Sequence, residues 1–172
     1  MSTKNRIAGI TILWVAFSLL LVQSVNSQTK NHPTAPPLVG IVTHIVDGDT
    51  FDMVDSNHHT IRVRPIGIDA EEMKNNAHGK KGPFAKAAKA YLSKLITNKK
   101  VRLQTDVRKY DQYGRLLAYV YVDTLFVNAA LLRAGLAVVE TEPPNLKYAD
   151  YFYRLQLAAR KAKQGLWAMR KQ

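Results

Sequence analysis

Residues 41–51 read IVTHIVDGDTF, and the way this run divides decides the fold. β-Branched residues at Ile41, Val42, Thr43, Ile45 and Val46 stop at Asp47-Gly48, a dipeptide that favours a tight turn, and strand character resumes at Thr50-Phe51. The spacing predicts a hairpin with strands at 39–46 and 50–54. One carboxylate is enough for such a turn, yet Asp49 adds a second in a chain crowded with positive charge. A DGD run alone is most often just a turn, so the meaning of Asp49 rests on the rest of the chain.

Downstream, DSNHH (55–59) makes a second turn and TIRVRPI (60–66) a third strand. Pro65 belongs at that strand's end because it has no N–H to donate to a ladder. The polar run DAEEMKNNAHGKKG (69–82) is a long loop, a kind that is often functional. Gly82-Pro83 opens a helix with an apolar stripe at Phe84, Ala87, Ala88, Tyr91, Leu92 and Leu95; Lys86, Lys89 and Lys94 fall on its solvated side. Strands at 101–107 and 115–122 flank the turn RKYDQYG, VNAALLRAG (127–135) is a short helix, and LAVVE (136–140) is one more strand. A last helix covers 147–164, with Gly165 as its stop and Trp167 packing beyond it. Strands and helices do not alternate strictly. The order therefore predicts an α+β fold, a five-stranded antiparallel barrel of the oligonucleotide-binding (OB-fold) type carrying three α-helices.

The 172 residues suffice for one domain with a proper core. Lysine and arginine outnumber acids 25 to 13, for a formal charge of +12, which calls for a polyanionic partner. Absence of cysteine excludes disulfides, thiolate zinc sites and thiol nucleophiles. At the N-terminus, Lys4 and Arg6 precede an apolar run from Ile7 to Val22, and Val25 and Ser27 fit a cleavage site. Residues 1–27 read as a signal peptide directing the chain to a secreted or periplasmic location; the alternative is an uncleaved membrane anchor across 7–25. Residues 28–37 form a proline-rich linker, 38–168 the folded domain and 169–172 a basic tail.

The acids are unevenly placed. Asp47, Asp49, Asp69, Glu71 and Glu72 sit at the start of one strand and the end of another, ends that can meet in an antiparallel arrangement. Converging carboxylates repel unless a cation or proton intervenes, and hard oxygen donors suit calcium, magnesium or manganese. His44, His58 and His59 lack metal-ligand spacing and read as structural or exposed, and His78 as part of the loop. Arg64, five residues before Asp69, and Arg115, after the Gly114 turn, are natural phosphate partners because a guanidinium offers a planar fork and keeps its charge.

Five ordered motifs carry a resemblance: VDGDT (46–50), VRPIGID (63–69), DQYGRLLAYVY (111–121), VNAALLRAGLA (127–137) and PPNLKYAD (143–150). From about Leu38 to Trp167 the chain resembles the staphylococcal nuclease-like (thermonuclease) family. That resemblance implies calcium-dependent hydrolysis of DNA and RNA phosphodiesters, leaving 3′-phosphate ends. It implies Ca²⁺ ligands at Asp49, Asp69 and the Ala70 carbonyl, catalytic roles for Arg64, Glu72 and Arg115, and a nucleotide contact at Tyr113. Lys80 and Lys81 are expected to attract the nucleic-acid backbone without regard to sequence. The expected form is a monomer without an obligate protein partner, touching a membrane only through an uncleaved N-terminus.

The chain departs from the family pattern in three places. Glu71 stands where a proline is usual, which leaves both Glu71 and Glu72 as candidates for the catalytic carboxylate, with Glu72 favoured by its spacing from Asp69. Gln112 stands where a lysine is frequent. Glu140 and Glu142 stand where tyrosines that hold the nucleotide are expected, a change that bears on substrate binding or preference. The alternative function is a non-catalytic OB-fold module that binds nucleic acid; loss of the acids or arginines would mark it, and this chain keeps both.

Overall fold

The computed structural model describes residues 37–71 and 84–169. The expected signal peptide or anchor, most of the linker, the 72–83 part of the polar loop and residues 170–172 of the tail lie outside the described residues. Strand β1 (Leu38–Ile45) and strand β2 (Phe51–Asp55) make the predicted hairpin. Their register shifts between Val42 and His44, a bulge that places Thr43 outside the ladder. Inward positions accordingly change from Gly40 and Val42 to Ile45, leaving His44 exposed.

The hairpin connection is wider than a two-residue turn. Val46 and Asp47 N–H both donate to the Thr50 carbonyl, at 2.9 and 3.2 Å, and the Asp47 carboxylate accepts the Asp49 N–H at 3.2 Å. Asp47 is thus the turn-forming acid, which leaves the Asp49 side chain for another use. Gly48 answers to packing. A Cβ there would lie 2.7 Å from the Cβ atoms of both Ala70 and Ala88.

Strand β3 (Thr60–Pro65) pairs antiparallel with β2 and ends at Pro65 as predicted. Strand β4 (Ile68–Asp69) follows, and helix α1 (Ala85–Ile96) leads to β5 (Lys100–Gln104), antiparallel to β1. Strand β6 (Leu116–Val122) pairs antiparallel with β5 and parallel with β3, closing a five-stranded ring. The barrel is therefore mixed, a correction to the purely antiparallel expectation. The reason is parity: around a closed ring of five, alternation of direction must fail once, and it fails at β3–β6. Phe51, Met53, Val63, Val101, Leu103 and Leu117 are almost fully buried in the resulting core.

Strand β7 (Leu125–Phe126) forms a hairpin with β6 and runs directly into helix α2 (Val127–Arg133). Buried Asn128 in α2 accepts the Val120 N–H at 3.0 Å and donates to the Ile66 carbonyl at 2.9 Å, tying β6 to the end of β3. Strand β8 (Val138–Val139) pairs antiparallel with β4 as a separate two-stranded ribbon. Helix α3 (Ala149–Lys161) packs Phe152 inward, and a single turn, α4 (Leu166–Met169), carries Trp167 and is a fourth helix among the described residues, where three were expected. On α1 the buried set is Ala85, Ala88, Leu92 and Ile96; Ala87, assigned above to the apolar stripe, is exposed. Lys89 also departs from its expected solvated role, because its Nζ donates to the Val46 carbonyl at 3.0 Å and ties α1 to the Asp49 loop.

Candidate active site

Asp49 leaves the hairpin turn pointing inward and is 2% exposed. Burying a carboxylate is costly unless it is paired and hydrogen-bonded. Here one oxygen, Oδ2, accepts the Ala70 N–H at 2.6 Å, and the other, Oδ1, accepts the Thr50 hydroxyl at 3.2 Å and pairs with Nη1 of Arg64. Arg64, the next-to-last residue of β3, is itself buried. Its Nη2 donates to Asp69 Oδ1 at 3.0 Å and lies 3.1 Å from Glu140 Oε2. Burial works against its charge, but Asp49 and then Asp69 outweigh it and raise the guanidinium pKa further above its ordinary value.

The β4–β8 ribbon explains why Glu140 reaches this point. Gly67, with φ of +80°, turns the chain from β3 into β4, and its carbonyl accepts the Glu140 N–H at 3.2 Å. A Cβ at Gly67 would meet the Phe152 ring at 2.8 Å, so glycine is required twice over. The antiparallel pairs Ile68–Val139 and Asp69–Val138 put Glu140 opposite Gly67, at the other end of the ribbon from Asp69 but two positions along on the same face, and both carboxylates reach Arg64 Nη2.

Arg115 is delivered by a turn that Asp111 organises. Asp111 Oδ1 accepts the N–H groups of Tyr113 and Arg115, each at 2.9 Å, while its Oδ2 accepts Arg115 Nε at 2.5 Å. Burial raises the Asp111 pKa, but the Arg115 and Tyr113 hydrogen bonds and the Arg115 charge prevail and hold it below the ordinary carboxylate value. The Arg115 guanidinium lies 5.3 Å from the centre of the Tyr113 ring, which is largely exposed. Parallel pairing sets Arg64 beside Leu117, two residues along from Arg115. Both arginines line one cleft of about 420 Å³, together with Tyr113, Gln112 and Asp111.

The segment Glu140–Glu142 and Arg108 line the same cleft. Arg108 Nη2 donates to Glu142 Oε1 at 2.6 Å. Its backbone is clamped by buried Asn145, whose side chain accepts the Arg108 N–H at 2.7 Å and donates to the Arg108 carbonyl at 2.9 Å. Sequence reasoning passed over Arg108 and Asn145, which lie 37 positions apart and carry no shared local signal. Asp111 was findable: an aspartate opening D-x-x-G is the usual acceptor in such a turn.

Of the residues singled out in the sequence, Asp49, Arg64, Asp69 and Ala70 meet through direct contacts, and Arg64, Tyr113 and Arg115 share the cleft. Glu72, Lys80 and Lys81 lie outside the described residues. Glu71 is engaged elsewhere: its Oε2 accepts the Phe84 N–H at 2.7 Å, where α1 begins. Among the described residues no three His, Cys, Asp or Glu side chains are placed around one metal position. Asp49 and Asp69 with the Ala70 carbonyl are nevertheless an all-oxygen set held together by the Asp49–Ala70 bond. Their chemistry fits a hard divalent cation that takes further ligands from water or substrate.

The chain is similar to known proteins over most of its length. The family described as staphylococcal nuclease homologue matches residues 62–169. The thermonuclease of Staphylococcus intermedius is 34% identical over 168 residues, covering 95% of this chain and 98% of that protein. The thermonuclease of Staphylococcus hyicus is 32% identical over 166 residues, covering 92% and 96%. The SPbeta prophage-derived endonuclease YokF of Bacillus subtilis (strain 168) is 38% identical over 125 residues, covering 72% of this chain and 42% of that protein. With a family match over residues 62–169 and near full-length similarity to two thermonucleases, the chain belongs to the staphylococcal nuclease family.

Proposed function

We propose that this protein is a calcium-dependent nuclease that hydrolyses phosphodiester bonds of DNA and RNA and leaves 3′-phosphate ends. The observation that carries the reading is the meeting of Arg64 and Arg115 at one cleft, with Arg64 held by Asp49 and Asp69. A phosphodiester repels nucleophiles, and more negative charge builds on its oxygens as the transition state forms. Two guanidinium groups, Arg64 held by Asp49 and Asp69 and Arg115 by Asp111, are positioned before substrate arrives to stabilise that charge. Arg64 takes the side of the phosphate nearest Asp49, and Arg115, aligned by Asp111, takes the other.

Asp49, Asp69 and the Ala70 carbonyl are the residues that would hold Ca²⁺, which supplies positive charge beside a phosphate oxygen and lowers the cost of activating water. Glu72 accepts the proton of the attacking water. The engagement of Glu71 at the start of α1 supports Glu72 in that role. Tyr113 offers an exposed ring to the bound nucleotide, and Lys80 and Lys81 attract the strand to the loop. Entry into a secretory route through residues 1–27 would bring the enzyme to nucleic acid outside the cytoplasm.

The test uses the purified chain with single- and double-stranded DNA and RNA. Cleavage of all four with calcium, stopped by chelator and restored by calcium, is expected, with products that resist ligation until their 3′-phosphates are removed. Binding without cleavage under any divalent ion would leave only the non-catalytic module.

A further inference from the structure

Each glutamate of the 140–142 segment holds an arginine of the cleft. Glu140 lies 3.1 Å from Arg64, and Glu142 lies 2.6 Å from Arg108. Neither carboxylate is needed to satisfy a buried charge in isolation. Glu140 is 52% exposed and is the third acid on a guanidinium already paired with Asp49 and Asp69, and the Glu142–Arg108 pair is itself partly open to solvent. With Glu140 half exposed and the Glu142–Arg108 pair partly open to water, solvent screening leaves these contacts a small share in stability. Their position has a larger consequence for binding, because both acids line the cleft that would receive a phosphate.

We infer that Glu140 and Glu142 are specificity-determining residues: in the free protein their carboxylates occupy Arg64 and Arg108, so that the cleft rejects ligands with a single phosphate and accepts polynucleotides. The inference rests on the nuclease reading given above. A lone phosphate can displace one carboxylate but stays close to the other acid, and it gains one arginine for that repulsion. A strand carries successive phosphates. Once one is seated, the next competes for its arginine at a high effective concentration, so the second displacement is far easier than the first. Discrimination here comes from a repulsive element aimed at the wrong ligand, a recognised route to specificity. For a nuclease the result is release of short products while long strands continue to bind.

The test compares wild type with Glu140→Gln, Glu142→Gln and the double variant, using adenosine 5′-monophosphate as the single-phosphate probe. Glutamine keeps the size and one acceptor, so the segment retains its shape. Titration calorimetry on the metal-free protein is expected to show AMP affinity rising about two- to fivefold for each substitution. With calcium, the ratio of kcat/KM for a 20-nucleotide strand to that for a dinucleotide is expected to narrow in the double variant. A merely structural role for the glutamates would lower thermal stability and could not tighten AMP binding. An active wild type whose double variant binds AMP no more tightly overturns the inference alone. An inactive wild type whose double variant does bind AMP more tightly sinks the nuclease reading and leaves the competition for the arginines standing.

Discussion

Arg64 has to serve two partners. As a phosphate ligand it must face the cleft, and as the counter-ion of buried Asp49 it must stay inside. Removing it therefore has a structural cost beyond its chemistry, because a buried carboxylate left without its cation destabilises by about 3–5 kcal/mol. Arg64→Ala is expected to lose stability of that order in urea unfolding, whereas Arg64→Lys retains the charge and most of the stability but loses the planar fork. Equal stability of wild type and Arg64→Ala would mean that Asp49 finds its cation elsewhere. The sequence made Asp49, Arg64 and Asp69 legible only together, through the clustered acids and the ordered motifs that carry the family resemblance. It did not reveal that Glu140 touches Arg64, because that contact spans 76 positions and depends on strand pairing.

The 46–50 loop owes its shape to three neighbours: Asp47 within it, Lys89 on α1, and the close approach of Gly48 to Ala70 and Ala88. Reading Asp47-Gly48 as a turn was sound. The steric demand on Gly48 was hidden, because nothing local to it says that a helix and the end of β4 close over it. Gly48→Ala is expected to cost about 1–3 kcal/mol through overpacking and to depress turnover by moving Asp49. Thermal unfolding together with a calcium-dependent cleavage assay checks both halves, and an unchanged melting temperature would show that the loop yields freely. Strand β4 is only two residues, too short for a period-two pattern to announce, and β8 is a two-residue part of the strand expected at 136–140, yet their pairing is what brings the Glu140 segment to the arginines. Lys89 was misread for a related reason. Helical periodicity places it on the outer side of α1, and only the fold brings the Val46 carbonyl within its reach.

At the scale of the whole molecule, a basic chain closes a five-stranded ring and collects functional side chains from both sides of the seam. The positions of the five barrel strands follow from alternation and turn chemistry. The parallel β3–β6 pair does not, since it joins strands about fifty positions apart and becomes necessary only when an odd ring closes. That pair is also what sets Arg64 and Arg115 at one cleft, so closure of the barrel and assembly of the site are the same event. The most direct measurement is a double-mutant cycle on single-turnover DNA cleavage with Arg64→Lys, Arg115→Lys and the two combined. Arginines that share one phosphate act as a unit, so the combined loss is expected to fall well short of the product of the single losses. Losses that multiply, or single variants that cut at the wild-type rate, would contradict a common phosphate between them.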